Sequence, residues 1–522
     1  MIVKDNKLSV SELLTRAVEL KPDREALYDL QERITYKQLH ERVEKLVGKL
    51  IELGVKKGDR VGVCLPNWNE TPIIFFAVAK VGGIVVPFNP NYRQNEIDYI
   101  IGNSKPKLLF VCEKVKKNVR LEKLASSVER IISVRFEHER TMSFNSLLIT
   151  NGNNTSITLP EIDIDNDIFC ILYTSGTTGA PKGVMLPHRS IVQSGNTLAA
   201  SLRCTTDDVF IVPAPLFHIF GIACNLMASV AAQSKLILQE KFQPEQTLQL
   251  IEEEKVTIHQ GVPTMFVMEL NLPDFDQYNL STLRTGMVGA APCPPDTIRA
   301  IREKMGLNLL ISFGISETGT VTITDYDEEE INYLETVGKA IDGVKLKIVN
   351  EHREMLPVGE VGEIACKSLG TMKGYYKMEE QTKKVFDEDG WYYTGDLGSL
   401  DEKGYLRFVG RKKEMIIRGG YNIYPQEIEG VLAKHPKVLE CAVVSYPNEV
   451  LGELVCAVIK LKKGESCTPD EIKEYVKTFI ATYKVPSKVV FVEEFPVTAS
   501  GKIQKGKLKE KMLKLVHTSE KD

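Results

Sequence analysis

Apolar and polar positions along the first half of the chain alternate in a rhythm that predicts strands followed by helices. Short apolar runs at residues 60–65, 84–86 and 108–111 have the length and Val/Ile content of buried strands, whereas segments 70–81 and 94–104 show helical spacing. This alternation is typical of βαβ units, in which parallel strands are joined by right-handed crossovers. The predicted fold class is therefore α/β.

The same rhythm returns in the middle of the chain. The predicted helices there are 188–202, 220–232 and 246–255, and the predicted strands are 208–212 and 235–238. We therefore expect two doubly wound α/β halves with a crevice between them, where small ligands tend to bind.

The last part of the chain changes in character. From about residue 338, short strands and turns predict a small β subdomain, and helices at 425–433 and 469–483 with strands beside them predict a compact α+β tail. The prediction is a large domain, residues 1–410, followed by a small mobile domain, residues 411–522.

Composition restricts the classes of partner. The 66 Lys and Arg nearly balance the 70 Asp and Glu, giving a net charge of -4, which argues against nucleic acid or a polybasic membrane contact. The ten cysteines form no C-x-x-C pair, which disfavours structural zinc and favours reduced thiols in the cytoplasm. Neither a signal peptide nor an uninterrupted membrane span is evident, so no integral membrane association is expected. Monomer and homodimer both stay open.

The stretch from residue 171 to 186, ILYTSGTTGAPKGVML, has the composition of a phosphate-binding loop between two strands. Hydroxyl groups and glycine N–H groups can point at an anion, and Lys182 adds a positive charge. The loop residues concerned are Thr174, Ser175, Gly176, Thr177, Thr178 and Gly179. This is not a Walker A loop, because Pro181 precedes the lysine and Gly183 stands where Ser or Thr is required. The alternative is a polar hairpin without a ligand.

The motif YTSGTTGAPKG resembles the phosphate-binding signature of the acyl-adenylate-forming superfamily. The pattern is most similar to fatty acyl-CoA and 4-coumarate-type CoA ligases, and the resemblance spans nearly the whole chain. It implies ATP, Mg²⁺ and coenzyme A as cofactors, a small carboxylic acid as substrate, and an acyl-AMP intermediate. It also implies a catalytic contribution from Lys182.

A second loop, SFGISET at residues 312–318, follows an apolar run and so lies at the carboxyl end of a strand, where α/β sites form. Phe313 can stack on a purine ring, and Glu317 is a hard oxygen ligand suited to Mg²⁺. The resemblance implies nucleotide contacts from Ser312, Phe313, Ser316 and Glu317, with Thr174 and Glu317 near the metal. The alternative is an ordinary loop with a buried Phe and a solvated Glu.

Two further motifs complete the implied adenylation site. WYYTGDL, residues 391–397, resembles the motif in which Asp396 accepts hydrogen bonds from the ribose hydroxyls, and Arg411 would donate to the same ribose. Outside this resemblance, both would be surface turn residues. In PVTASGKIQK, the resemblance identifies Lys502 as the catalytic lysine that stabilises charge between carboxylate and α-phosphate, although a lone lysine is usually a solvated charge.

The small domain carries a second implied set. Lys413 stands where the family pivots, and the turn with Gly419, Gly420 and Asn422 resembles the one that lines the thiol tunnel after domain rotation. The alternative is an ordinary β-turn, although glycines do suit close backbone approach.

Three segments, 215–221, 261–264 and 288–292, resemble the walls of the acyl pocket. The implied pocket residues are His218, Phe220, Cys224, Val262, Gly289, Ala290 and Gly314, and Ala290 would also contact the nucleotide. His218 would gate the carboxylate, the alternative being a core histidine. The segment contains no carboxylate to pair with a substrate ammonium, and its apolar side chains favour a hydrocarbon tail.

The sequence thus predicts an ATP-dependent acid:CoA ligase that forms acyl-AMP and then acyl-CoA, with medium- or long-chain fatty acids as substrates. Two alternatives keep the chemistry: a 4-coumarate-like aryl-CoA ligase, and an enzyme that loads an aryl or fatty acyl group onto a carrier protein. An alternative of another class is a catalytically silent nucleotide-binding regulator. It stays open because Ile311, Ser312 and Phe313 replace the Gln, Gly and Tyr that family members commonly carry.

Overall fold

The computed structural model describes residues 7–149, 158–174, 181–498 and 502–519, with the backbone alone for residues 125 and 513–519. Two large, mainly parallel sheets with helices around them form most of the molecule, and two smaller sheets follow. The predicted α/β class is confirmed.

The first large sheet has seven strands and ends in the predicted phosphate-loop hairpin. Its order is Met142–Ser143, Arg130–Val134, Leu108–Cys112, Arg60–Cys64, Ile84–Pro87, Ile168–Thr174 and Lys182–Pro187. All neighbours are parallel except the last two strands, which pair antiparallel. The predicted loop therefore does lie between two strands.

The second large sheet has nine strands, and its central strands are parallel. Its order is Lys339–Ala340, Gly319–Ile323, Asn308–Ile315, Thr285–Val288, Ile258–His259, Val209–Val212, Lys235–Leu238, Glu25–Tyr28 and Arg33–Thr35. Antiparallel pairs occur at both edges. Two loops predicted to bind ligands follow adjacent strands of this sheet, after Val288 and around Ile315.

The helices of the large domain pack around and between these sheets. They are Val10–Leu20, Tyr36–Glu52, Glu70–Lys80, Gln94–Ser104, Glu113–Asn118, Leu121–Ala125, Phe144–Leu147, His188–Ser201, Phe220–Met227, Ala228–Ala232, Pro244–Glu254, Pro263–Leu270, Pro295–Met305, Glu330–Glu335 and Glu379–Val385, with a 3₁₀ turn at Phe275–Gln277. The first begins with a capping box formed by Ser9 and Glu12. Helix Glu70–Lys80 is buried almost all round, and one hydrophobic cluster unites it with residues of both sheets.

A four-stranded antiparallel sheet forms the predicted β subdomain. Its strands are Lys345–Val349, Gly362–Lys367, Tyr392–Leu400 and Leu406–Arg411. The chain then passes through the 3₁₀ turn Lys412–Glu414 into the C-terminal part. The boundary predicted after residue 410 falls at this passage and stays a prediction.

The C-terminal part has a sheet and cores of its own. The strands are Ile416–Arg418, Tyr421–Ile423, Val438–Asn448, Gly452–Leu461 and Lys488–Phe491, and the helices are Pro425–Leu432, Pro469–Lys477 and Lys505–Ser519, with a 3₁₀ turn at Thr482–Lys484. Two hydrophobic clusters lie on either side of the sheet. The helix predicted at 469–483 is wrong at its far end, because it ends at Lys477.

Two features bear on the expectations from composition. All ten cysteines are free thiols, and most are buried. Among the residues that the structure describes, no helix is both long enough and apolar enough to cross a membrane.

Candidate active site

The strands on either side of the predicted phosphate loop fix its two ends. Thr174 pairs with Lys182 across the hairpin, and the Thr174 hydroxyl lies 3.5 Å from the Lys182 carbonyl oxygen. The Lys182 ammonium lies 4.7 Å from the centre of the Tyr375 ring, within range of a cation–π interaction. Ser175, Gly176, Thr177, Thr178 and Gly179 lie outside the described residues, so their contacts stay predictions.

Glu317 lies beside the same tyrosine. The Tyr375 hydroxyl donates to Glu317 Oε1 at 3.0 Å, and the backbone N–H of Met372 donates to the Glu317 carbonyl at 2.7 Å. The segment after Met372 also bonds the returning hairpin strand, since Met185 N–H donates to the Gly374 carbonyl at 3.0 Å. Tyr375 therefore joins the end of one large sheet to the carboxylate at the end of the other.

Asp396 and Arg411 face each other on neighbouring strands of the β subdomain. They are paired in the strand register, and Arg411 Nε lies 3.4 Å from Asp396 Oδ1. Burial raises the pKa of the Asp396 carboxyl to about 6; Arg411 opposes the rise, and the Glu414 and Glu317 carboxylates add to it. A buried carboxylate beside an arginine suits two hydroxyl donors, as the ribose prediction requires.

Lys502 reaches this cluster from the C-terminal part. Its backbone is held by Thr498, whose hydroxyl accepts from the Lys502 N–H at 3.1 Å. Burial lowers the pKa of the Lys502 ammonium to about 8, with the like charge of Arg411 adding to the fall while Asp396 and Glu317 oppose it. The structure thus places Lys502 within the electrostatic range of three of the predicted nucleotide residues.

His218 lies beside Lys502 at the start of the predicted acyl pocket. Burial, followed by the positive charge of Lys502, lowers the pKa of His218 to about 3, so the ring is neutral at physiological pH. Its Nδ1 accepts from the Phe220 N–H at 3.3 Å, which leaves the proton on Nε2. A neutral imidazole whose Nε2–H makes no hydrogen bond within the described residues can donate to a carboxylate.

The predicted pocket walls come together at the carboxyl ends of the second sheet. Gly261 bridges to Val288, and Gly289 N–H points at the Gly261 carbonyl at 3.4 Å. Val262, Phe220 and Cys224 are buried around this junction. Ala290 follows with φ of 68°, a left-handed conformation that is strained for alanine and often marks functional loops.

Gly314 and Phe313 occupy a bulge between the two strands that flank Glu317. A side chain at Gly314 would overlap the carbonyl of Gly319, so only glycine fits there. Phe313 is buried with its ring 5.6 Å from that of Phe408, while Ser312 is half-buried and Ser316 is buried. The stacking of Phe313 on a purine stays a prediction.

The second predicted set is divided between two places. Lys413, in the 3₁₀ turn Lys412–Glu414, lies near the adenylation residues: burial and the charge of Arg411 lower its pKa, while Glu414, Asp396 and Glu317 oppose the fall. Gly419 and Gly420 are exposed on the turn between strands Ile416–Arg418 and Tyr421–Ile423, and Asn422 is exposed on the second of these strands. Within the described ranges, the interactions that join Glu317, Asp396 and Lys502 do not include this glycine turn. A small domain that rotates between two half-reactions would need two separate functional surfaces of this kind.

Sequence reasoning missed Tyr375 and Tyr392. The two hydroxyl groups are 3.5 Å apart, and burial, with the nearby Glu317 charge, raises the pKa of both phenols. Both are therefore protonated and can donate. The GYY sequence at residues 374–376 falls among the short strands and turns of the predicted β subdomain, and no sequence signal links Tyr375 to Glu317, 58 residues earlier.

Glu317 and Thr174 fit the predicted Mg²⁺ site in chemical type. Tyr375 occupies Oε1 of Glu317, which leaves Oε2 for an ion. In the part of the chain that the structure describes, no group of three or more potential metal ligands includes Glu317. A single carboxylate is what Mg²⁺ needs when phosphate oxygens and water supply the other ligands.

Comparison with protein families gives two matches. Residues 14–376 match the AMP-binding enzyme family, and residues 427–502 match the AMP-binding enzyme C-terminal domain. Among curated proteins, a putative acyl-CoA synthetase of Bacillus subtilis, YngI, is 37% identical over 98% of both chains. The mouse mitochondrial medium-chain acyl-CoA ligase ACSF2 is 36% identical over 97% of this chain and 87% of its own length.

Solved structures give the same result. ATP-bound MatB from Rhodopseudomonas palustris superposes with a TM-score of 0.86 at 30% identity, covering 97% of this chain and all of its own. The anthranilate CoA ligase AuaEII with anthranoyl-AMP superposes with a TM-score of 0.90 at 26% identity over 98% of both chains.

Proposed function

Since this chain belongs to the AMP-binding enzyme family, and within it to the ATP-dependent acyl-CoA ligases, we propose that it activates medium- or long-chain fatty acids. Its cofactors are ATP, Mg²⁺ and coenzyme A. The observation that carries the proposal is the convergence of Lys502 on Glu317, Asp396 and Arg411, near the buried apolar segment predicted to line the acyl pocket.

Two half-reactions make up the proposed activity. A carboxylate oxygen of the acid attacks the α-phosphorus of ATP, and pyrophosphate leaves. The thiol sulfur of coenzyme A then attacks the acyl carbonyl carbon, the thiol loses its proton, and AMP leaves. Mg²⁺, when bound, neutralises phosphate charge and polarises the phosphoryl oxygens.

The residues of this chain contribute positioning and charge, and none acts as a nucleophile. Asp396 and Arg411 hold the ribose, Glu317 and Thr174 hold the metal, and Lys182 neutralises the departing phosphates. The Nε2–H of His218 orients the substrate carboxylate, and Lys502 stabilises the negative charge that gathers between carboxylate and α-phosphate.

The chemistry of the pocket favours an aliphatic acid. The predicted lining residues Phe220, Cys224 and Val262 are apolar and almost fully buried, and the segment offers no carboxylate to a substrate ammonium. Burying a hydrocarbon tail against such side chains contributes roughly 0.8 kcal/mol per CH₂ group. The names of the ACSF2 relatives, which are medium-chain ligases, agree with this choice.

The direct test is acid-dependent AMP release with coenzyme A, measured with acetate, octanoate, palmitate, coumarate, benzoate and succinylbenzoate. An optimum among the aliphatic acids supports the proposal. Turnover of aromatic acids alone would replace the substrate class and favour an aryl-CoA ligase. Acid-dependent pyrophosphate release without coenzyme A consumption would favour a carrier-protein acceptor, and no acid-dependent release at all would favour a regulator.

Adenylate formation is expected to fall on both sides of a window between about pH 6 and about pH 8. Below pH 6 Asp396 becomes protonated and loses an acceptor for the ribose, because its pKa is raised to about 6. Above pH 8 Lys502 loses its charge, because its pKa is lowered to about 8. The measurement is the pH dependence of kcat/KM for ATP in acid-dependent pyrophosphate release, which reports groups of the free enzyme.

The matched variant for this profile is Lys502→Arg. A guanidinium keeps its charge throughout the range, so the alkaline limb should disappear from the residual activity while the acid limb stays. An alkaline limb that is unchanged in Lys502→Arg would assign that ionisation to another group.

A further inference from the structure

The predicted acyl pocket has a wall of unusual backbone geometry. Residues Phe220–Met227 form a π-helix, and all eight are buried. A π-helix bonds each N–H to the carbonyl five residues earlier, which gives a wider turn than the α-helix. Such turns are rare and are often found at functional sites. A segment of this kind needs support from its surroundings to keep its shape.

Two buried amide side chains give that support. Asn225 Nδ2 donates to the Phe220 carbonyl at 3.1 Å, five residues earlier, which is the spacing of the π-helix itself. Gln260 Nε2 donates to the Cys224 carbonyl at 2.8 Å and lies 3.5 Å from Asn225 Oδ1. Both residues have 0% exposure. The amides therefore bond the carbonyls of the two π-helix residues predicted to line the pocket.

Gln260 also ties this helix to the opposite wall. It follows strand Ile258–His259 and precedes Gly261, which bridges to Val288. On the far side, a Cβ built on Gly289 would lie 3.9 Å from the ring of Phe220. The amide contacts thus help to set the gap between the π-helix and the Gly289 loop.

Burial of Gln260 carries an energetic cost. Its Oε1 is buried and has no hydrogen-bond partner among the described residues. A buried acceptor without a partner is destabilising, and an apolar side chain of the same shape would avoid the penalty. The NH₂ group of Gln260 is the part of the side chain that bonds the π-helix.

We infer that Asn225 and Gln260 are positioning residues that determine acyl-chain selectivity. By holding the π-helix in its wide form, they fix Phe220 and Cys224 relative to the Gly289 loop. Without them the turn can relax toward α-helical bonding, which shifts the register of the side chains facing the tail. The inference rests on the proposed function, because it takes these segments as the site of the acyl tail.

The test compares Gln260→Met with Gln239→Met. Methionine keeps the length of glutamine but cannot donate, and Gln239 is an equally buried glutamine whose amide bonds Gln246 and Thr247 beside another helix. The measurement is kcat/KM for even-numbered saturated acids from four to sixteen carbons, together with KM for ATP. Thermal unfolding checks that each variant folds. Asn225→Leu is a second variant, which removes the bond from Asn225 to the Phe220 carbonyl and the contact between Asn225 and Gln260.

For Gln260→Met and Asn225→Leu, we expect the ratio of kcat/KM between the best acid and the acid two carbons longer to change about tenfold or more, since one methylene is worth roughly that much. KM for ATP should change less than about twofold. Gln239→Met should keep the wild-type ratio. An unchanged ratio, with a uniform fall in rate such as a destabilised enzyme gives, would overturn the inference.

Assays of the wild-type enzyme show separately whether the proposed substrate class is wrong. If the wild type accepts only aryl acids, the substrate class is wrong, and the same comparison over benzoate and its para-alkyl derivatives tests the amide pair. If the ratio of kcat/KM between these acids changes in Gln260→Met and Asn225→Leu but not in Gln239→Met, the positioning role is supported independently of the fatty-acid assignment.

Discussion

Replacement of Lys502 by alanine is expected to lower acyl-adenylate formation by about 10²- to 10³-fold or more, the range found when a single transition-state donor is lost. In this structure the Lys502 ammonium lies within electrostatic range of Glu317, Asp396 and Arg411, where the proposed adenylation step needs its charge. Thioester formation from supplied acyl-AMP should stay within a few-fold of wild type, because that step is predicted to follow rotation of the small domain. Acid-dependent pyrophosphate release measures adenylate formation, and acylation of coenzyme A by supplied acyl-AMP measures thioester formation. The two assays are run separately.

Lys507→Ala is the matched control for this experiment. Lys507 lies five residues further along, exposed near the start of helix Lys505–Ser519, and its removal should leave both half-reactions unchanged. Equal losses of both half-reactions in Lys502→Ala would contradict the assignment. That result would mean that the lysine supports the structure of the small domain instead of the adenylation step.

The parts of this molecule that follow from local pattern were predictable. The apolar run before Thr174 and the Val-Met-Leu run after Lys182 predicted two strands around the loop, and the structure pairs these strands antiparallel. Asp396 and Arg411 are opposite each other because the turn of their hairpin lies midway between them, near Gly404. The hydrophobic period and the spacing of turn residues predict contacts of this kind, because these contacts join residues that are close along the chain.

Contacts between distant segments were not predictable in the same way. Tyr375 meets Glu317 and Lys182 only because the chain after strand Gly362–Lys367 runs back across the hairpin. The apolar segment 220–232 predicted a helix but could not distinguish a π-helix from an α-helix, since both bury the same residues. What distinguishes them here is Gln260, a side chain 36 positions beyond Cys224. Tertiary hydrogen bonds of this kind leave no periodic signal.

Replacement of Gly420 by leucine is expected to have the opposite effect to Lys502→Ala. In the arrangement described here, no described atom lies within 4 Å of a Cβ built at Gly420, so leucine fits and adenylate formation should stay within about tenfold of wild type. In the predicted rotated arrangement, this turn lines the thiol tunnel, and a branched side chain would obstruct it. Thioester formation from supplied acyl-AMP should therefore fall by about 10²-fold or more, as misplacing a reactant does.

Gly464→Leu separates this steric effect from backbone strain. Gly420 has φ of 86° and Gly464 has φ of 85°, so leucine is equally strained at either position, and no described atom lies within 4 Å of a Cβ built at Gly464 either. Gly464 lies in a turn of the small domain before helix Pro469–Lys477 and has no predicted role in the tunnel. If Gly464→Leu loses thioester formation as Gly420→Leu does, strain in the small domain is the cause. If Gly420→Leu alone loses it, the two half-reactions use different faces of the same domain, with Lys502 on one and Gly420 on the other.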